Sequence, residues 1–373
     1  VEIVRGPAAL LYGGNAIGGV VNTFDNRIPD APVEGIHGAG ELRYGGAATT
    51  RSSAGKLEAG DGRFALHLDA NSRQFNDLRI PGHARSAKVR DADEPGTRHR
   101  LENSDGRQDG GAVGGSYNWE HGYAGLSYSR YDANYGSVAE PGVRLAMEQD
   151  HYAFASELRD LDGPFNFLGR EHKVLVGANY SRSEFASNGG YFSNFLGDVD
   201  LDNPQPDFAY PAFPDSDKLP TSVANTRAKA LYSNLRLSLA DPLTLVLGGR
   251  VTWLEMHRSQ HQPEAGSPSE KSADSVSQKF TPFYGLIYDL NENYSVYANY
   301  SGVFQPQAVS NLDINNNIIK PLEGKQHELG IKGEFLDGAL NASLAAFQIE
   351  EENRAIPDMN DPDSRAVVAS GKA

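Results

Sequence analysis

Over most of its length this chain alternates apolar and polar residues with a period of two. It does so in segments joined in turn by short and long connections. Phe64-Ala65-Leu66-His67-Leu68-Asp69-Ala70-Asn71-Ser72-Arg73 shows the pattern most cleanly. Phe64, Leu66, Leu68 and Ala70 share one face, and His67, Asp69, Asn71 and Arg73 share the other. Successive side chains of a strand point to opposite faces, so each such segment reads as a strand with one apolar and one polar side. Leu243 to Trp253 repeats the design. Tyr294, Val296, Ala298, Tyr300, Gly302 and Phe304 alternate with Ser295, Tyr297, Asn299, Ser301 and Val303. His327, Leu329, Ile331, Gly333 and Phe335 alternate with Glu328, Gly330, Lys332 and Glu334. The same template gives about thirteen strands along the chain.

The connections are asymmetric. Leu161-Asp162-Gly163-Pro164, Ala240-Asp241-Pro242, Asp289-Leu290-Asn291-Glu292 and Leu336-Asp337-Gly338 are short. Long ones run roughly from Asn76 to Asp109, Phe185 to Asn225, Met256 to Val276 and Gln305 to Gly324, where alternation fails. Short turns at one end and long polar loops at the other are the pattern of an antiparallel transmembrane β-barrel. A soluble sandwich has no reason to keep its long loops on one side. Trp119, Tyr128, Trp253, Tyr288, Tyr294 and Tyr300 are expected near strand ends, as interfacial girdles require.

Composition agrees with an all-β chain. The 373 residues include Gly 40, Pro 20, Tyr 17 and Phe 16. No apolar run approaches the length of about 18 residues that a membrane helix needs. The mean hydropathy of -0.50 does not exclude a membrane, because a barrel strand is apolar only at alternate positions. With Cys 0 there is no disulfide framework and no thiolate metal site. The net charge of -15 argues against a nucleic-acid partner, whose phosphates demand clustered Lys and Arg.

The first residues stand apart. A β-run (Val1 to Val4) meets Arg5-Gly6-Pro7, then Leu11-Tyr12-Gly13-Gly14, then Ala16-Ile17-Gly18-Gly19-Val20-Val21-Asn22. In order and spacing this string resembles the end of the plug domain of TonB-dependent outer-membrane receptors, just before their barrel. Further on, Tyr284-Gly285-Leu286-Ile287-Tyr288-Asp289-Leu290, Phe304-Gln305-Pro306-Gln307, Pro321-Leu322-Glu323-Gly324-Lys325 and Glu328-Leu329-Gly330-Ile331-Lys332-Gly333 are similar to the barrels of hydroxamate-type ferric-siderophore receptors. Arg79-Ile80-Pro81-Gly82 and Tyr131-Asp132-Ala133-Asn134-Tyr135-Gly136 look more like the zinc-uptake branch, with the change of flavour near residues 164–170. The resemblance implies a plug end over 1–29 and a partial barrel over 34–373. In it Arg5, Gly6, Pro7, Gly13, Gly18, Gly19 and Asn22 shape the plug's return to the barrel. It also implies residence in the outer membrane of a Gram-negative bacterium, in contact with its lipid. Coupling to the TonB complex would run through an N-terminal box that this sequence does not carry. Barrels of the family have about 22 strands, so the chain reads as an internal piece or a composite of two receptors. Its sheet should curl but remain open, or close under strain, and expressed alone it should aggregate.

Metal, catalytic and ligand readings separate sharply. His83 and His99 share one expected loop with Asp91 and Asp93, a donor set that suits zinc. Arg85, Lys88, Arg90, Arg98 and Arg100 crowd the same loop, and no tight ligand spacing exists. His257 and His261 lie four apart without a helix to present both. No nucleophile elbow and no P-loop is present, so neither an enzyme nor a bound cofactor is expected. The segment from Tyr191 to Phe213 interleaves Tyr191, Phe192, Phe195, Phe208, Tyr210 and Phe213 with Asn, Asp and Pro. Such aromatics suit a bulky organic chelate better than a bare cation. The expected function is therefore uptake of a metal chelate, a ferric siderophore before zinc. A non-transporting barrel, adhesin or passive porin, is the competing class.

Overall fold

The computed structural model describes residues 2–5, 19–22, 25–84, 97–138, 143–158, 170, 172–188, 221–261, 270–308, 310–335, 340–360 and 366–372. Everything regular in it is strand. A short pair, β1 (Glu2–Arg5) and β2 (Gly19–Asn22), precedes the sheet. Then follow β3 (Glu34–Gly45), β4 (Thr50–Asp61), β5 (Phe64–Phe75), the hairpin β6 (Leu78–His83) with β7 (Arg98–Leu101), β8 (Gly106–Trp119), β9 (Gly122–Gly136) and β10 (Arg144–Leu158). The second half is β11 (His172–Asn188), β12 (Thr221–Ala240), β13 (Leu243–His261), β14 (Glu270–Asp289), β15 (Tyr294–Gln305), β16 (Leu322–Phe335), β17 (Leu340–Glu352) and the hairpin β18 (Arg354–Pro357) with β19 (Val367–Gly371).

Thirteen of these strands form one antiparallel meander, in the order β17-β16-β15-β14-β13-β12-β11-β10-β9-β8-β5-β4-β3. This is the expected strand count. Among the described residues β3 and β17 are its edges, and both are exposed along nearly their whole length, whereas β8 to β13 in the middle are mostly half-buried. The connections keep the expected asymmetry. At one end lie 62–63, 120–121, 241–242 and 290–293; at the other, the longer stretches from β5 to β8 and from β15 to β16 share the end with the short turn 46–49, and the expected loop over 189–220 lies outside the described residues. The expected short turns at 161–164 and 336–338 fall outside the described residues.

Two expectations need correction. The strands run further toward the long-loop end than the sequence suggested. β11 continues to Asn188, β12 starts at Thr221, β13 reaches His261 and β14 starts at Glu270. Hydropathic alternation stops where the apolar band stops, but the backbone ladder carries on through charged positions such as Arg182, Glu184, Arg227 and Glu255. For the same reason only Trp119, Tyr288 and Tyr294 stand at strand ends, while Tyr128, Trp253 and Tyr300 lie inside β9, β13 and β15.

The two faces differ as the alternation demands. Phe64, Leu66, Leu68, Leu126, Phe154, Val176, Leu231, Phe280, Leu286, Leu329 and Leu344 are exposed on the outward face. Tyr128, Tyr152, Tyr180 and Lys229 follow one another across the ladder to Trp253. Two residues further toward the long loops the outward positions become Arg130, Asp150, Arg182, Arg227 and Glu255. An apolar band ending in aromatics and then charges is the exterior of a lipid-facing sheet. At the long-loop end, Leu254, Met256, Ala273, Phe304 and Ile318 form a buried cluster against Leu312, so the 306–321 connection packs back onto the wall.

Candidate functional site: the inner wall and its seated strap

The inward positions of β4, β5, β8 and β9 receive the strap Asp25–Asp30, which leads from β2 to β3. Glycines make the seat. A methyl group at Gly114 would stand 1.8 Å from the Arg27 carbonyl oxygen, and one at Gly125 would stand 2.5 Å from the Ile28 side chain. Pro29 is fully buried there, and the Ser116 hydroxyl donates to its carbonyl at 2.5 Å. A strap laid on a sheet has no ladder partners, so its carbonyls must be met by side chains of the wall.

Polar side chains then fasten it. Arg27 Nε donates to Asp69 at 3.0 Å, and Asn26 donates its amide to Glu58 at 2.5 Å. Between these two carboxylates sits His67, 1% exposed, with Nδ1 at 3.1 Å from Glu58 and Nε2 at 3.1 Å from Asp69. Glu58, His67 and Asp69 occupy inward positions of adjacent strands β4 and β5, where Glu58 and His67 are direct cross-strand partners. Arg27, Glu58, His67 and Asp69 thus form one continuous network that joins strap to wall.

A second polar cluster lies further round the same face. Arg250 on β13 reaches Asn179 of β11 and rests over the ring of Tyr232 of β12. His151 of β10 stands between the two clusters, within electrostatic reach of Arg27, Asp25 and Arg250. With Arg27, Asn71 and Gln149 it lines a recess of about 300 Å³.

The residues singled out from sequence fall unevenly. Arg5 ends β1, and Gly19 and Asn22 bound β2, with Arg5 paired to Gly19 and Glu2 to Asn22. Gly6, Pro7, Gly13 and Gly18 lie outside the described residues. So do Tyr191, Phe192, Phe195, Phe208, Tyr210 and Phe213. His83 ends β6 opposite Arg98, and His99 lies on β7, where the Gly82 amide donates to its Nδ1 at 3.4 Å; Asp91 and Asp93 lie outside the described residues. Among the described residues no group of three His, Asp or Glu side chains is placed to hold a metal ion. His257 and His261 both occupy β13, as strand residues. Neither polar cluster of the inner wall was anticipated as a site. Their only trace in the sequence is polar residues at inward positions, a pattern that recurs in every strand.

The antiparallel meander thus carries an apolar band bounded by aromatics on one face and a fastened strap, Asp25–Asp30, on the other. The chain belongs to the TonB-dependent receptor-like β-barrel family, whose model matches residues 41–373. It is similar to the ferripyoverdine receptor of Pseudomonas aeruginosa, 38% identical over 209 residues that cover 53% of this chain and 23% of that protein. It is also similar to the metal-pseudopaline receptor of the same species, 23% identical across 97% of this chain and 58% of the relative. The crystal structure of the P. aeruginosa ferripyoverdine receptor bound to ferripyoverdine superimposes with a TM-score of 0.62 at 25% identity, covering 98% of this chain and 55% of that one. The chain therefore spans less than two thirds of the length of the proteins it matches.

Proposed function

We propose that this chain is the plug-end and barrel-wall part of an outer-membrane receptor that imports a metal chelate, most simply a ferric siderophore, by coupling to the TonB complex. The observation that carries this reading is the strap Asp25–Asp30 bound into the inner wall, since a passive pore or an adhesin gains nothing from a fastened stopper. The relatives named for ferripyoverdine and metal-pseudopaline support the same class of cargo. In this reading Arg5, Gly6, Pro7, Gly13, Gly18, Gly19 and Asn22 shape the plug's return, and the wall holds its last residues while force is applied further upstream. Tyr191, Phe192, Phe195, Phe208, Tyr210 and Phe213 make the external aromatic contacts to the chelate, and the outward apolar band meets outer-membrane lipid.

Growth of a receptor-null Gram-negative host carrying the full-length receptor tests this. Iron-limited growth should be restored by a ferric hydroxamate and abolished when TonB is removed. Relief of zinc limitation, with no response to any ferric chelate, would transfer the assignment to zinc uptake.

A further inference from the structure

Arg250 projects from β13 toward the strap side of the sheet and is only 7% exposed. Its Nε donates to Thr252 Oγ1 at 3.2 Å and its Nη2 to Asn179 Oδ1 at 3.2 Å. The Tyr232 ring supports the guanidinium from below, 5.4 Å away. That ring is itself pressed against the wall at Gly177, where an added methyl would stand 2.2 Å from it. Three strands therefore hold the guanidinium in one place. Its remaining nitrogen, Nη1, is buried and has no hydrogen-bond partner.

Among the described residues no carboxylate is paired with this guanidinium; on β14, the other neighbour of β13, Asp289 accepts from Ser295 at the turn end. β12 contains no Asp or Glu at all. β11 and β13 contain one each, Glu184 and Glu255, at outward positions where they lie 3.9 and 4.0 Å from Arg182 and Arg227. Asp25 on the strap is 3.3 Å from Arg27 and so already engaged. A guanidinium cannot shed its proton, and a buried charge without a counter-charge is strongly unfavourable. A fixed, desolvated cation with one free donor nitrogen is built for an anion that arrives from elsewhere.

Its level in the wall narrows the choice of anion. Arg250 lies three residues to the turn side of Trp253, about 10 Å along the strand from the aromatic boundary. It stands beneath the cluster of Leu254, Met256, Phe304 and Ile318 that packs at the long-loop end. The recess lined by Arg27 and His151 lies within electrostatic reach on the strap side. We propose that Arg250 is an anion-recognising subsite on the transport path, selecting metal chelates that carry a carboxylate over those that do not. This rests on the uptake reading. It adds that charge on the chelate is read within the wall, at a place separate from the loop aromatics.

The test uses the full-length receptor in detergent and two ferric trihydroxamates of matched size, one with a pendant carboxylate and one with the corresponding amide, followed by quenching of intrinsic tryptophan fluorescence. Wild type should bind the carboxylate probe more tightly. Arg250→Gln should weaken the carboxylate probe about tenfold, the factor that corresponds to one hydrogen bond to a charged group. The amide probe should change less than about twofold, and Arg250→Lys should recover part of the loss. Equal effects on both probes, or none on either, would overturn the subsite. A fall in melting temperature with equal weakening of both probes would assign Arg250 to a carboxylate of the receptor's own plug, which also overturns it. Failure of wild type to bind either probe would remove the uptake reading itself.

Discussion

Two arginines on the same inner face are treated in opposite ways. Arg27, on the strap, meets Asp69 at 3.0 Å and joins a network with His67 and Glu58 that has a protein partner for each charge. Arg250, on the wall, is more deeply buried than Arg27, and its partners among the described residues are neutral. The first arrangement fixes one piece of chain to another. The second prepares a cation and leaves its counter-charge out. Burial alone therefore does not separate structural from functional arginines on this wall; the presence of a carboxylate does. The sheet supports both because inward positions are shielded from lipid, so polar groups there need satisfy only one another or a guest.

The largest effect is expected from removing the strap's seat. Gly114→Ala places a methyl group on the Arg27 carbonyl, and neither backbone can yield without breaking a ladder. The strap should lift, with a loss of stability of about 3 kcal/mol or more and rapid proteolysis between β2 and β3. Unchanged protection of that segment would mean the strap is not held by its seat. Arg27→Gln should cost about 1–3 kcal/mol by leaving Asp69 without its guanidinium partner, with no change in preference between carboxylate and amide chelates. A shift in that preference would erase the contrast between the two arginines.

A smaller effect follows from the shelf under Arg250. Gly177→Ala displaces the Tyr232 ring but touches no charge, so it should reduce carboxylate preference only a few-fold, within the range of a cation–π contact. Titrating the two probes against this variant checks it, and full wild-type preference would show that Tyr232 is not needed to hold the guanidinium.

The smallest effect concerns a third arginine, Arg100 of the β6–β7 hairpin, which is exposed and pairs with Asp77. Burial acts to raise the Asp77 carboxyl, but hydrogen bonds from Arg100 and from the Ser104 and Asp105 amides outweigh it and hold the group below its ordinary value of 3.8. The folded form thus binds this proton more weakly than the unfolded form. The stabilisation is complete above pH 3.8 and fades as the pH falls through the lowered value. Amide exchange in 78–83 and 98–101 should therefore accelerate in acid, and Asp77→Asn should remove the pH dependence.

Strand identity was legible because a half-apolar strand writes its two faces directly into the sequence, as Phe64 to Arg73 does. Strand length was not, because beyond Trp253 and Tyr180 the outward positions turn charged while apolar residues such as Leu254 and Met256 sit inward, so the hydropathic alternation that marks the apolar band breaks off. The strap network was invisible for a different reason: Arg27 and Asp69, or Ser116 and Pro29, are brought together only by the order in which strands pair. Gly114 and Gly125 give no hint of their role until a backbone is seen lying against them. Arg250 is one inward polar residue among many, and what sets it apart is that β12 carries no acid and that the acids of β11 and β13, Glu184 and Glu255, lie at outward positions. That arrangement can be read from sequence only once the register is known.

The contrast is tested most directly by measuring Arg27→Gln and Arg250→Gln side by side in the full-length receptor, recording melting temperature and the ratio of affinities for the carboxylate and amide chelates. A crossed result is expected: Arg27→Gln lowers the melting temperature and keeps the ratio, while Arg250→Gln keeps the melting temperature and brings the ratio close to one. Two variants that both lose stability with the ratio intact would contradict it.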